Sequence, residues 1–319
     1  MTFTRTPVAA PIAAGPKALS YLRLGKARVY HYVYGWALGL LLLLMDGLLT
    51  SGTLLPLALL LAGTLAIQWS TSAADDVCGF LDGSDARNYE GRPPVTTVRK
   101  PLLTGALTLS EALRFAIGAW IVGMAAIALS AGVLDRHVPT PAWVIALGVP
   151  VLAVQYSCGV KLSYRPLGLE STIFLTGAFT VVMPYWFVAG TVSPETLLVG
   201  ALVGLWLLLV VAYGNASDRE GDAAVHRRTL AVLLPPTWYA AVLHLLVALN
   251  VLLFLALFTT TRLSTVFLVA GAPVVLLHLV QLYYGVYRDE LRKARFLVLI
   301  SIDLGFLGLA AALLMGSTS

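Results

Sequence analysis

The chain has 319 residues, of which 59% are hydrophobic and only 12% are charged, and its formal net charge is +5. Soluble domains carry about 25% charged residues, so a single soluble core could not bury this much apolar surface. The composition therefore excludes an ordinary soluble protein and indicates a chain that uses the lipid bilayer as its solvent.

Nine segments are long and apolar enough to cross a bilayer, which needs about 20 apolar residues per helix. In chain order they are 29–49, 54–74, 112–134, 139–157, 166–188, 195–214, 236–259, 263–286 and 296–315. Residues 1–28 contain no apolar stretch of the kind found in cleavable signals, and we predict that they lie in the cytoplasm. We therefore predict one all-helical transmembrane domain over residues 1–319.

The basic residues predict the orientation. With the N-terminus inside, the cytoplasmic segments hold all of the 21 Lys and Arg residues except Arg136 and Arg262. This is the positive-inside pattern of inner-membrane proteins, so the excess charge reflects topology and gives no nucleic-acid signal. Nine crossings then place the C-terminus outside. Cys78 and Cys158 both fall at cytoplasmic boundaries without CxxC spacing, so no disulfide is expected.

Two cytoplasmic segments, 75–111 and 215–235, differ from the other loops because they combine acids with basic residues. The first begins with "DDVCGFLDGSD" (75–85) and the second with "NASDREGDAAVHRRT" (215–229). Each follows a span that arrives from the outside, and the two lie four spans apart. This spacing suggests two four-helix repeats with a ninth helix added.

The acids in these segments are placed where they destabilise a helix. Asp218 and Asp222 share a face at i, i+4, and acids at a helix C-terminus meet the negative end of its dipole. A divalent cation would resolve the repulsion, and Mg²⁺ prefers oxygen ligands completed by substrate phosphates. Mn²⁺ could replace it, whereas zinc and copper are excluded by the lack of a His or Cys cluster. The alternative is solvated acids paired with arginine. The candidate metal ligands are Asp75, Asp76, Asp82, Asp85, Asp218 and Asp222.

Four ordered motifs resemble those of the UbiA superfamily of intramembrane prenyltransferases. "NASDREGDAAVHRRTLAV" is similar to its second aspartate-rich motif, and "DDVCGFLDGSD" to the menaquinone-type form of its first. "RKPLLTG" (99–105) and "QYSCGVKLSYRPLGLE" (155–170) are similar to two further motifs. The resemblance implies a helical bundle around a central cavity, in which Mg²⁺ joins the two acidic motifs through an isoprenoid diphosphate.

The resemblance also implies roles for individual residues. The implied catalytic residues are Asp76, Asp218, Asp222 and Lys161. The implied diphosphate ligands are Lys100, Lys161, Arg28, Arg228 and Asn215, and the implied prenyl or acceptor pocket holds Tyr156, Tyr164, Tyr213 and Tyr34. The first motif departs from the family pattern, because Asp75 stands where Asn is usual and Gly79 where an acid is usual. We predict that Asp75 or Asp82 compensates for Gly79, because they share its helical stripe.

Three functions remain open at this point. The resemblance favours ionisation of an isoprenoid diphosphate followed by transfer to an aromatic or quinoid acceptor. Related membrane terpene cyclases use no acceptor, and aromatic side chains could steer the cation in such an enzyme. A transporter is the third alternative, but transporters bind substrate near the midplane, whereas the polar clusters here lie at the cytoplasmic mouth. Asp303, inside the last span, is the most unusual midplane residue.

Overall fold

The computed structural model describes residues 16–90, 97–134, 138–260 and 265–316, and every regular element in these ranges is helical. The short helices are α1 (Lys17–Leu24), α4 (Ser84–Tyr89), α9 (Arg219–Ala224) and α10 (Leu230–Leu233). The longer ones are α2 (His31–Met45), α3 (Ser51–Asp82), α5 (Leu109–Gly132), α6 (Thr140–Val154), α7 (Gly168–Ala189), α8 (Pro194–Ser217), α11 (Pro236–Thr260), α12 (Thr265–Leu282) and α13 (Leu291–Gly316). A 3₁₀ turn covers Leu162–Tyr164 and a π-helical turn covers Tyr283–Tyr287.

Seven helices in the described ranges are long and apolar enough to cross a membrane: α3, α5, α7, α8, α11, α12 with its π-helical turn, and α13. Two shorter apolar helices, α2 and α6, lie within the predicted spans 29–49 and 139–157. The all-helical membrane fold is thus confirmed, while the count of nine crossings stays a prediction.

Helix α8 lies at the centre of the bundle, where it packs against α7, α11 and α13. Trp206 and Tyr213 on α8 are fully buried. A Cβ atom on Gly177 of α7 would come within 2.8 Å of the Cα of Gly204 on α8. Small residues of this kind let membrane helices approach closely, because lipid provides no hydrophobic force between them and packing must hold them together.

Helices α3 and α8 both end on the side of the bundle that carries the two acidic segments. Gly83 follows α3 with a φ of 79°, in the left-handed region that glycine adopts without strain. The chain therefore reverses at this residue and enters α4, which returns Asp85 toward the last turns of α3. Helix α9 follows α8 and packs against α4, so the two acidic segments meet.

The segment that follows α6 folds back on the end of α3. There Cys78 and Cys158 form a disulfide, with their Cα atoms 6.1 Å apart. The expectation that these residues would not pair is wrong for this structure. The pairing joins residues 80 positions apart, and it depends on how the loop after α6 folds, which the spacing of the cysteines does not reveal.

Candidate active site

The first acidic segment forms a buried network of ion pairs at the end of α3. The ammonium nitrogen of Lys26 lies 2.9 Å from Asp75 Oδ2 and 3.6 Å from Asp76 Oδ1. The Lys100 nitrogen lies 2.8 Å from the same Asp76 oxygen. Burial alone would lower the pKa of Lys26, but Asp75 and Asp76 outweigh it and raise that pKa. Both lysines are therefore held charged against the acids.

The carboxylate of Asp85 lies in the space beside Gly79, the position where the family pattern has an acid. A Cβ atom on Gly79 would lie 2.8 Å from Asp85 Cγ and 2.9 Å from its Oδ2, so the carboxylate sits directly against the glycine. Lys100 binds Asp85 Oδ1 at 2.8 Å. Burial raises the pKa of Asp85, although Lys100 opposes this shift. The glycine thus makes room for an acid from the next helix.

The segment after α6 supplies further contacts to the first motif. The Ser157 hydroxyl donates a hydrogen bond to Asp75 Oδ1 at 2.5 Å, and the Tyr164 hydroxyl donates one to Asp82 Oδ2 at 2.5 Å. The Lys161 nitrogen lies 4.9 Å from the centre of the Tyr164 ring. Asp82 is therefore turned toward Tyr164, and Asp85 takes the position over Gly79.

Arg227 connects the two acidic segments. One of its terminal nitrogens lies 3.7 Å from Asp222 Oδ1 and the other 3.8 Å from Asp75 Oδ1. Burial raises the pKa of Asp222 to about 6; Arg227 opposes this shift, and the charge of Asp218 adds to it. Asp222 is buried, Asp218 is half-buried one helical turn before it, and Asn215 is buried at the end of α8.

Among the described residues, no three carboxylate, imidazole or thiol groups converge as a preformed metal site. Lysine and arginine side chains contact the acids instead. Three buried atoms in the cluster lack a hydrogen-bond partner: Asp76 Oδ2, Asn215 Nδ2 and Arg227 Nε. An unpaired carboxylate oxygen suits a hard cation, and unpaired N–H groups suit phosphate oxygens, so the residues present fit Mg²⁺ held partly by a diphosphate.

A cavity of about 410 Å³, including its open mouth, lies between α2, α3, α5, α6 and α7. Thr71 on its wall lies one turn before Asp75, and Ile67, Ile127 and Phe179 also line it. The hydroxyls of Thr64 and Thr176 donate to the backbone oxygens four residues earlier in their own helices. These hydroxyls are therefore satisfied within their own helices, and most of the exposed surface of the cavity wall is apolar, which suits a hydrocarbon chain.

Several predicted site residues lie together, and others do not. The cluster contains Asp75, Asp76, Asp82, Asp85, Asp222, Lys100 and Tyr164, and Tyr156, Asp218, Asn215 and Lys161 border it. The side chains of Arg28 and Arg228 are exposed outside it.

Two predicted pocket tyrosines point elsewhere. Tyr213 is buried against Gly285 in the bundle core, and Tyr34 donates a hydrogen bond to Asp303 on α13. Neither lines the cavity, whereas Tyr32 on the other side of α2 does. Residues two positions apart on a helix point about 200° apart around its axis, so Tyr32 faces the cavity while Tyr34 points away from it.

Lys26 and Arg227 are two basic residues of the site that the motifs did not single out. Arg227 is adjacent to Arg228 and Lys26 lies two positions before Arg28, each pair in a basic run, and both of these arginines were predicted diphosphate ligands. Lys26 has a left-handed backbone, with φ of 52°, so it ends the turn after α1 and lies toward the acids. The only sequence signal for either was membership of these basic runs.

The sequence profile of the UbiA prenyltransferase family matches residues 85–307. A similar protein is 1,4-dihydroxy-2-naphthoate octaprenyltransferase from Haemophilus influenzae, which is 26% identical over 247 residues, 75% of this chain and 77% of that protein.

Similar solved structures include a UbiA homologue from Archaeoglobus fulgidus bound to DMAPP and Mg²⁺, with a TM-score of 0.64 and 16% identity, covering 91% of this chain and 98% of that one. Another is the apo UbiA homologue from Aeropyrum pernix K1, with a TM-score of 0.65 and 20% identity, covering 92% and 98% of the two chains. At these identities the structures support the fold. The family profile covers more than two thirds of the sequence, so this chain belongs to the UbiA prenyltransferase family.

Proposed function

We propose that this protein ionises an isoprenoid diphosphate with the help of Mg²⁺ and transfers the prenyl group to an aromatic or quinoid acceptor within the membrane. The observation that carries the proposal is the meeting of both acidic motifs around Arg227, beside an apolar cavity. The naphthoate relative and the Archaeoglobus homologue bound to DMAPP and Mg²⁺ support this choice of substrates and metal.

The carboxylates of the site outnumber the cations that contact them. Lys26, Lys100 and Arg227 contact four carboxylates in ion pairs, those of Asp75, Asp76, Asp85 and Asp222. A buried excess of negative charge is costly, and a divalent cation offsets it. We assign the ion to Asp76, Asp85, Asp218 and Asp222, and when bound it would stabilise charge on the departing diphosphate.

The cationic side chains hold the diphosphate in this scheme. Lys26, Lys100 and Arg227 already lie at the acids, and Lys161 lies over Tyr164 at the edge of the cluster. When the diphosphate binds, they exchange carboxylate contacts for phosphate contacts and stabilise the charge that develops as the carbon–oxygen bond breaks. Asn215 and the free Nε–H of Arg227 are further donors.

The isoprenoid tail occupies the apolar cavity below Thr71. Along α3 the cavity wall runs from Thr71 to Thr64, seven residues or about 10 Å. The aromatic rings of Tyr32 and Phe179 face a bound chain there, and aromatic faces stabilise positive charge. We place the acceptor on the opposite side of the allylic carbon, near Tyr156 and Tyr164, whose segment contacts the first motif. In our proposal the side of the bundle that carries the acidic cluster opens to the cytoplasm, and the N-terminus lies on the same side.

The test is incubation of the purified protein in nanodiscs with C10, C15 or C20 diphosphate and Mg²⁺, with and without an acceptor. The acceptor probes are 1,4-dihydroxy-2-naphthoate and 4-hydroxybenzoate. A prenylated probe and released diphosphate are the expected products. A cyclic terpene formed at multiple turnover without acceptor would replace the transfer proposal with the cyclase alternative. Intact diphosphate accumulating across sealed liposomes would favour transport.

A further inference from the structure

Asp303 is an acid inside a helix apolar enough to cross the membrane, and the site described above does not use it. It lies eight residues beyond Arg295, the last basic residue near the start of α13, or about 12 Å along the helix. Its side chain retains 38% exposure at the packed interface between α13 and α2. An ionisable group at this depth is costly and commonly marks a functional site.

The polar neighbours of Asp303 leave hydrogen-bonding capacity unused. The Tyr34 hydroxyl donates to Asp303 Oδ1 at 2.8 Å. His31 Nε2 faces the same oxygen from 3.7 Å, which is too far for a hydrogen bond, and it has no other partner. The His31 side chain is only 9% exposed. A buried ring nitrogen without a partner is therefore aimed at a partly exposed carboxylate.

Aromatic rings frame this pair. Tyr30 stacks on His31 with ring centres 4.4 Å apart, and Tyr34 stacks on Phe306 at 4.1 Å. Tyr30 is 48% exposed, so its ring offers a free surface beside the polar atoms. The arrangement presents an apolar aromatic wall with a hydrogen-bond acceptor at one point.

We propose that His31, Tyr34 and Asp303 form a second binding site, for an uncharged hydroxylated aromatic dissolved in the membrane, such as a phenol or hydroquinone. The ligand hydroxyl donates to the carboxylate of Asp303, and the ligand ring packs on Tyr30. The carboxylate disfavours anionic ligands, and its position inside a membrane-spanning helix disfavours charged lipid head groups, which stay at the membrane surface. This site does not depend on the prenyl transfer proposed above.

The test measures ligand binding without diphosphate or Mg²⁺, so it is independent of catalysis. The protein in nanodiscs is titrated with 1,4-naphthalenediol or with 1,4-dimethoxynaphthalene, which has the same ring without donor hydroxyls, and the melting temperature is recorded. We expect saturable stabilisation by the diol alone. Asp303→Asn weakens its apparent affinity about tenfold or more, since hydrogen bonds to charged groups are the stronger ones.

His31→Phe provides a second variant in case Asp303→Asn fails to fold, because phenylalanine keeps the ring stacked on Tyr30 and removes Nε2. We expect this variant also to weaken diol binding, because Nε2 no longer faces the Asp303 carboxylate that accepts the ligand hydroxyl. Asp222→Asn, in the active site, is the matched control and should bind the diol as the unchanged protein does. Equal stabilisation by the dimethoxy compound, unchanged affinity in Asp303→Asn, or loss of binding in Asp222→Asn would each overturn the proposal.

Discussion

Replacement of Gly79 by alanine tests whether Asp85 is the acid that takes the place of the missing one. The new Cβ atom would lie 2.8 Å from Asp85 Cγ, whereas ordinary contacts begin at 3.4 Å. The Asp85 carboxylate must then retreat by about 0.6 Å, which stretches its 2.8 Å contact with Lys100 to about 3.4 Å. At an effective dielectric constant of about 20, this lengthening costs about 1 kcal/mol of attraction.

A loss of that size corresponds to roughly a sixfold reduction in rate if the contact matters in the transition state. We therefore expect Gly79→Ala to reduce prenyl transfer about sixfold and to raise the Mg²⁺ concentration needed for half-maximal activity. Global stability should change little, because alanine is favoured over glycine in a helix by about 1 kcal/mol, which offsets the local strain. The assay is a Mg²⁺ titration of the initial rate in nanodiscs, with melting temperature measured in parallel.

Gly118→Ala is the matched control, since a Cβ atom at Gly118 on α5 meets nothing within 4 Å. It gains the same helix propensity without touching the site, so its rate and Mg²⁺ dependence should equal those of the unchanged protein. If Gly79→Ala behaves like Gly118→Ala in both measurements, Asp85 does not take part in the site through its position on Gly79.

Three further predictions follow from the same site. Excess EDTA should abolish transfer and Mg²⁺ should restore it, whereas full turnover in EDTA would refute the metal assignment. The pKa of Asp222 is raised to about 6, so a proton competes with the metal ion for this carboxylate below that pH. The apparent Mg²⁺ affinity should therefore rise between pH 5 and 7 and then level off. An affinity that falls over this range would contradict the assignment of Asp222 as a metal ligand. Peptide mapping without reductant should recover a Cys78–Cys158 cross-linked peptide, and recovery of both thiols free would exclude the bond.

The features that could be predicted are those that depend on one continuous stretch of the sequence. The apolar runs predict helices because a bilayer imposes both their length and their composition. The acids of "DDVCGFLDGSD" and "NASDREGDAAVHRRT" could be placed at helix ends by the same argument. Their meeting in space followed from topology, since both follow helices that run in the same direction across the membrane.

The features that could not be predicted depend on how irregular segments turn. Asp85 reaches Gly79 only because Gly83 reverses the chain, a turn that the helical stripe of Asp75, Gly79 and Asp82 does not reveal. Lys26 reaches the acids through a left-handed backbone at the end of a turn. Such turns decide which of two neighbouring basic residues faces the site, and the sequence shows only that both are basic.

Adjacent arginines allow the most direct test of the site's geometry. Motif position favours Arg228, whereas the structure places the guanidinium of Arg227 between Asp75 and Asp222 and leaves the side chain of Arg228 exposed. Arg227→Gln removes a cation that is nearly buried between acids, so we expect a loss of about 10² to 10³ in kcat/KM for the diphosphate.

Arg228→Gln removes the same charge from the same basic run. Its backbone N–H still donates to the Ser163 oxygen, and its exposed side chain contributes little, so its kinetics should stay within about twofold of the unchanged protein. Both variants lower the net charge equally. A difference in their kinetics therefore depends on where the removed charge was located, and it cannot come from a general electrostatic effect at the membrane surface. If Arg228→Gln loses more activity than Arg227→Gln while both remain folded, the bridge between the two acidic motifs is not the catalytic arrangement.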